Sequence, residues 1–308
     1  MAENTIDKHK IFQDFENNVN EIIKCRNNPL LIMFYSDPAG KILPCDIEIL
    51  EDVFDDYLKK KQKDKIKHLD LMIQTNGGEA HTSYRLIQLI RSYCDELSVL
   101  VPTHAYSGGT LITFGANRIL MGRSAALSPI DVQIGSPEET IALLSIQKYI
   151  EFLNDCSQTY KLNKEKNKTH FLTELTKKLV EEVGTIQLGE LFRLTSLAQL
   201  HSKTLLHNYM FKNDSQKLRI ADEIVSKFTK ESPTHAFEMD YTLVAESGLK
   251  VDKLEGKIYI PSKQVIDLCA KLKRGGAICP FFPNSKDLRI PYFHIFDGEV
   301  EVKKDDKK

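Results

Sequence analysis

Four short apolar runs, "LLIMFYSD" (30–37), "HLDLMIQT" (68–75), "LSVLVPT" (97–103) and "RILMG" (118–122), alternate with segments whose apolar residues recur at helical spacing. Runs this short and this apolar read as strands buried on both faces. The segments between them suit crossover helices. Residues 45–63 carry Ile47, Leu50, Phe54 and Leu58 on one face, and residues 79–93 carry Ala80, Tyr84, Ile87 and Ile90. The alternation predicts an α/β fold with a mainly parallel sheet and flanking helices. Ligands of such sheets bind beyond the carboxyl ends of the strands. Two glycine turns fall at that edge: Asn76-Gly77-Gly78 after the second run, and "HAYSGGT" (104–110) after the third.

The flanks are less regular. An amphipathic helix is expected over 8–26, ended by "RNNP", and turn signals at Asp37-Pro38-Ala39-Gly40 close the first strand. Beyond residue 135 the chain reads as largely helical to about 230, followed by a compact mixed element over 231–270 and short strands and turns to the end. This predicts an N-terminal helical segment (1–27), an α/β core (28–230) and a C-terminal mixed segment with a basic tail (231–308). No internal repeat or low-complexity linker marks a boundary.

Composition excludes several functions. Of 308 residues, 42% are hydrophobic and 28% charged, as in soluble globular proteins, and the net charge of −1 offers no global field for nucleic acid or an anionic membrane. The basic residues of "LKKKQKDKIK" and the C-terminal tail are interleaved with Asp and read as solvated surface. Six cysteines without a C-x-x-C pair point to reduced thiols. The polar N-terminus shows no leader pattern, and no apolar stretch of about 18 residues is present. A cytoplasmic protein without an integral membrane segment is expected. Metal and nucleotide motifs are absent, and the third glycine of a dinucleotide fingerprint is missing, so no cofactor or metal is expected.

The chemistry converges on Ser107. A serine hydroxyl becomes a nucleophile when a base takes its proton, and the oxyanion it creates needs preorganised N–H donors. A strand–turn–helix with small neighbours exposes the hydroxyl and turns the next amide toward the substrate. Ala105-Tyr106-Ser107-Gly108-Gly109 has that form, with Ala105 in place of the first glycine of G-x-S-x-G. The following helix adds a dipole favourable to negative charge. Gly77 and Gly78, lacking side chains, let a backbone amide approach a carbonyl oxygen. Donors near Gly78 and Gly108 then form a two-donor oxyanion site, although two ordinary strand-to-helix turns would look the same.

The block "LDLMIQTNGGEAHTSYRLIQLIR", continued by "VLVPTHAYSGGTLITFGANRILMGRSAALSPIDVQIG", resembles the Clp-protease/crotonase superfamily. It is most similar to the serine dehydrogenase proteinase family, relatives of signal peptide peptidase A. The family's T-x-G-G, A-x-S-A-G-T and L-G-P-I-D-P-Q elements correspond to Thr75–Gly78, Ala105–Thr110 and Leu127–Gln133. The separation of 30 residues between Gly77 and Ser107 is that of the Clp-type core. "THAFEMDYTLVAESGLKV" resembles a further family element, so the likeness covers most of 28–252. Asn76 stands where the family has proline, Gly108 where it has alanine, and Ser128 where it has glycine. Pro129 falls where Clp subunits carry their catalytic histidine, so a Clp-type Ser-His-Asp triad is not expected.

The resemblance implies a Clp/crotonase-like core and a serine peptidase, ATP-independent in itself. It also implies peptide or unfolded-protein substrates and a homo-oligomer. Lys148 is the first candidate base, 41 residues after Ser107, as in Ser-Lys relatives. Its helix is expected to start at a Ser136 cap. Apolar residues nearly all round it (Ile141, Leu144 and Phe152 beside Lys148) predict burial, which favours a neutral amine. His235 is an alternative base if the C-terminal segment folds over the site, and Asp131 an alternative orienter. His104 lies on the opposite strand face from Ser107. His81, one helical turn past the glycines, either touches substrate or is solvated. Two other classes keep the fold: a crotonase-like acyl-CoA enzyme, with Glu79 as the nearby carboxylate, and a non-catalytic peptide-binding scaffold.

Overall fold

The computed structural model describes residues 8–36, 40–62, 64–135, 140–159, 165–234, 236–272, 276–278 and 281–282. Helix α1 (Lys8–Arg26) leads into strand β1 (Leu30–Ser36), then α2 (Cys45–Lys61), β2 (Ile66–Gln74), α3 (Ala80–Tyr93) and β3 (Cys94–Val101). Next come β4 (His104–Ala105), α4 (Gly108–Phe114), β5 (Arg118–Met121) and β6 (Ala126–Leu127). The hairpin β7 (Gln133–Gly135)–β8 (Thr140–Ala142) precedes α5 (Leu143–Thr159), α6 (Glu165–Val183) and α7 (Thr185–Leu205). A π-helical turn (Leu206–Met210) joins α7 to α8 (Lys217–Thr229). The chain closes with α9 (Tyr241–Glu246), β9 (Val251–Lys253), α10 (Tyr259–Leu272), β10 (Gly276–Ile278) and β11 (Phe281–Phe282).

Five strands form the parallel sheet, in the order β1-β2-β3-β5-β9, and β10 and β11 add antiparallel to β1. The expected α/β class with a mainly parallel sheet and flanking helices is found. The C-terminal segment joins this sheet through β9, β10 and β11.

Each strand alternates between two apolar layers. In β1, Leu31, Met33 and Tyr35 enter one cluster, and Leu30, Ile32 and Phe34 the other. The first layer lies under α2, α3, α4, α7 and α8. The second is covered by α1, through Phe15, Val19 and Ile22, and by α10, through Val265, Ile266 and Cys269. Burial on both faces is why the strands read as continuous apolar runs. Each fully buried aliphatic side chain contributes roughly 1.5–3 kcal/mol.

The α1–β1 corner carries one buried charge. Asn27 takes a left-handed conformation (φ 56°) and its amide bonds back to Ile23 at 2.7 Å, which ends α1. Arg26 is thereby placed over β2, where Nε and Nη2 donate to both oxygens of Asp70 at 2.9 and 2.8 Å. Asp70 is 1% exposed and its partner 23%.

Five cysteines (Cys25, Cys45, Cys94, Cys156 and Cys269) are free thiols, and Cys279 lies outside the described residues. Among the described residues no helix is long and apolar enough to cross a membrane. None of their His, Cys, Asp and Glu side chains group in threes to hold a metal ion.

Breaking a buried pair from one side strands the other charge. Arg26→Ala is expected to cost about 3 kcal/mol, the low end of the range for buried pairs because the arginine is partly solvated. Denaturant unfolding of the variant checks this.

Candidate active site

Beyond the carboxyl ends of β2 and β3 the chain builds a second, narrower ribbon of pairings. The Tyr106 amide donates to Thr75 O at 2.9 Å, and β4 pairs in parallel with β6. The Ile42 amide reaches Gly77 O at 3.0 Å, and Leu127 and Met239 exchange bonds of 3.0 and 2.8 Å. The ribbon therefore runs from Ile42 through residues 75–78, β4 and β6 to Met239. Both glycine turns are stitched into it.

The two turns are in direct contact. Gly77 has φ +111°, and a Cβ there would sit 2.8 Å from Tyr106 O, 2.9 Å from Ser107 Cβ and 3.1 Å from Gly108 N. A Cβ on Gly108 would meet Ser83 Oγ and lie 3.1 Å from Gly78 N, and one on Gly78 would lie 2.7 Å from Ile42 O. Glycine is required at each position by space, and at Gly77 also by conformation. Buried Thr75 holds the first turn by accepting the Gly77 amide on Oγ1 at 2.9 Å. These contacts bring the amides of Gly78 and Gly108 to one place.

Ser107 adopts φ 49°, ψ −111°, sparsely populated for a residue with a side chain. Such strain survives only where the surroundings over-determine it. Here the Ser107 amide donates to Ser128 Oγ at 2.8 Å, while Thr110 Oγ1 lies 2.8 Å from Ala105 O and 2.9 Å from Ser128 O. The Ser128 amide returns a bond to Thr110 Oγ1 at 3.1 Å. Ser128, a departure from the family pattern, thus buttresses the serine, a role that spacing alone did not show. The helix behind Ser107, α4, has only seven residues and adds little dipole.

Ser107 faces a cleft of about 370 Å³ that Gly77, Gly78, His81 and Asp131 also line. Ile130, Val132, Leu194 and Leu197 supply apolar wall; Lys41, Glu79 and Gln133 supply polar edge. The Glu79 carboxylate accepts from Thr82 Oγ1 at 2.6 Å. Asp131 is 6% exposed.

The other candidates lie elsewhere. His104 stacks on Tyr106, ring centroids 4.6 Å apart, and is not a cleft residue. The burial expected for Lys148 is not found. Its side chain is 43% exposed, and Nζ donates to Glu151 Oε2 at 2.8 Å. On α5, Ile146 and Leu153 are buried, but Tyr149, Ile150 and Phe152 face solvent. Nor does the helix start at Ser136: residues 133–135 and 140–142 pair as a hairpin, and α5 begins at Leu143. Lys148 is not among the residues lining the cleft. His235 lies outside the described residues. Its neighbour Glu238 accepts from Tyr106 Oη at 2.5 Å, so the C-terminal segment does pack beside the nucleophile turn. Burial and this carboxylate both raise the Tyr106 pKa.

One pair was not legible in the sequence. His201, near the C-terminal end of α7 and 7% exposed, sits with Nε2 3.1 Å from His81 Nδ1, and its ring stacks on Tyr84 at 3.9 Å. Burial, and secondarily repulsion from His81, push its pKa from 6.5 down to about 4. The unfolded chain takes a proton below about 6.5 that the folded one refuses. The stability this represents is complete above 6.5 and is lost as pH falls toward 4. It should amount to about 1–3 kcal/mol. The difference in unfolding midpoint between wild type and His201→Asn should accordingly shrink across that interval.

The sequence matches the family profile of ClpP-like SDH-type serine proteinases over residues 17–193, more than half of the chain. Two uncharacterized proteins of Methanocaldococcus jannaschii are similar. MJ0137 is 32% identical over 120 residues, 39% of this chain and 38% of that protein. MJ1495 is 26% identical over 192 residues, 62% and 54% respectively. The chain therefore spans about half or less of the length of these curated relatives. Similar solved structures include two mutant forms of the 1510-N membrane-bound stomatin-specific protease, one in complex with a substrate peptide. They have a TM-score of 0.39 and 14% and 15% identity, and cover 73% of this chain and 79% and 74% of theirs. The ClpP protease catalytic domain from Plasmodium falciparum has a TM-score of 0.39 and 10% identity, covering 83% and 96%. By its family match, the chain belongs to the ClpP-like SDH-type serine proteinases.

Proposed function

We propose that this protein is a serine peptidase in which Ser107 attacks a peptide carbonyl. The observation that carries the reading is the strained Ser107 turn packed against Gly77-Gly78 in the lining of a cleft. The amides near Gly78 and Gly108 receive the oxyanion, with Gly77 providing the clearance that lets the two turns meet. An extended peptide lies along the outer ribbon by main-chain hydrogen bonding, and its side chains meet the apolar wall of Ile130, Val132, Leu194 and Leu197. The substrate is a peptide or unfolded protein, and hydrolysis at this site needs no ATP.

Association of several copies fits the exposed apolar residues Tyr149, Ile150 and Phe152 of α5 and Ile186 and Phe192 of α7. It also bears on the base. A lysine acts as a base when desolvation holds it neutral. Lys148 in the single chain has water and Glu151 around it, so it is a base only in an assembly that covers the outer face of α5. Asp131, buried in the cleft, is suited to orient a proton-carrying partner, and His235 adjoins a segment that touches the nucleophile turn.

Ser107→Ala is expected to abolish hydrolysis of unstructured peptides, a loss of at least about 10³-fold in kcat/KM with the unfolding midpoint unchanged. Turnover by the variant at the wild-type rate contradicts the assignment.

A further inference from the structure

We infer that Ser128 is a positioning residue for the nucleophile, its hydroxyl fixing the Ser107 backbone and with it the direction of Oγ; this rests on the peptidase reading above. Ser107 stands at φ 49°, ψ −111°, where a side chain is strained. These two angles set the planar peptide units on either side of Ser107, so holding both units holds the strained pair. The unit after Ser107 is held by α4, where Ser107 O accepts the Leu111 amide at 3.1 Å. The unit before it is held at both ends. Tyr106 O accepts the Gly109 amide at 2.7 Å, and the Ser107 amide donates to Ser128 Oγ at 2.8 Å. Of these three bonds, the last is made by a side chain, so a substitution removes it and leaves the turn's own sequence intact.

Ser128 is built as a rigid post. Its hydroxyl donates to Pro129 O at 3.2 Å, which leaves the oxygen lone pairs to accept the Ser107 amide. The residue is 5% exposed, its amide donates to Thr110 Oγ1 at 3.1 Å, and its carbonyl lies 2.9 Å from that same oxygen. Leu127, just before it, exchanges backbone bonds with Met239. The bond to Ser107 also decides which amide of the turn meets the substrate. The Ser107 amide is engaged by Ser128 and the Gly109 amide by Tyr106 O. Gly108 opens α4, where an amide has no preceding helical turn to bond, so its N–H is left for the carbonyl oxygen. Ser128 does not line the cleft. Its hydroxyl therefore acts on the rate of attack and leaves peptide binding alone.

Steady-state hydrolysis of a fluorogenic peptide by the full chain, together with the rate of Ser107 labelling by a fluorophosphonate, tests the assignment. Ser128→Ala keeps the Cβ and loses the acceptor. It is expected to lower kcat and the labelling rate by about tenfold, with KM within about twofold of wild type. A crystal structure of the variant should show Ser107 released from its positive φ. Ser128→Cys fills the same space with a weaker acceptor and should fall in the same direction, less far. A folded variant of either kind with the wild-type kcat and labelling rate overturns the inference. So does a loss carried by KM, or a slow Ser128→Ala enzyme whose Ser107 φ is unchanged. Labelling of the wild type separates the levels. Ser107 labelled, with Ser128→Ala unimpaired, sinks the positioning role alone. Ser107 unlabelled, with Ser107→Ala still turning over, sinks the peptidase reading and this inference with it.

Discussion

The site depends on one backbone-to-backbone approach, that of the Gly77-Gly78 turn onto the Tyr106–Gly108 turn. A methyl group on Gly77 would fall inside van der Waals distance of Tyr106 O, Ser107 Cβ and Gly108 N. Everything local supports that approach. The Thr75 hydroxyl closes the first turn, the Tyr106 amide ties the second to Thr75, and Ser128 and Thr110 hold the strained Ser107 backbone from behind. Strain of about 1–3 kcal/mol at a single residue is tolerated when its neighbours leave no alternative. The parallel sheet beneath makes that possible, because strands buried on both faces fix where their carboxyl ends stop.

The sheet was legible because a doubly covered strand has a strong sequence signature. β1, β2, β3 and β5 each appeared as an apolar run between amphipathic segments, with boundaries off by a few residues. The glycine turns were legible for a related reason, since Gly-Gly and Ser-Gly-Gly directly after a strand leave few backbone options. Features made by distant residues were not legible. Nothing in the spacing of His81 and His201, 120 positions apart, says that their nitrogens meet. Ser128 likewise stands in the sequence only as a departure from the family's glycine; its bond to the Ser107 amide comes from 21 residues away.

The misreading of α5 has a simple physical cause. Apolar periodicity reports which residues avoid water, without saying whether the cover comes from the same chain. Phe152, beside Lys148 on the helix, widens the apparent stripe and makes the lysine read as buried, whereas in the single chain Tyr149, Ile150, Phe152 and the lysine face outward together. The pairing of 133–135 with 140–142 also puts the helix start at Leu143 instead of Ser136. α7 presents the opposite case. Its low overall amphipathicity conceals a face on which Leu194, Leu197 and His201 stand at one-turn and two-turn spacing, two of them lining the cleft and the third in contact with His81.

The central claim is that the two glycine turns form one cradle around a reacting serine. Its most direct test is a crystal structure of the protein after reaction with a peptidyl fluorophosphonate. The account predicts a covalent bond from Ser107 Oγ to phosphorus, with the phosphoryl oxygen about 2.7–3.1 Å from the amide nitrogens of Gly78 and Gly108. An adduct on another side chain, or one on Ser107 whose oxygen points away from both amides, would contradict it.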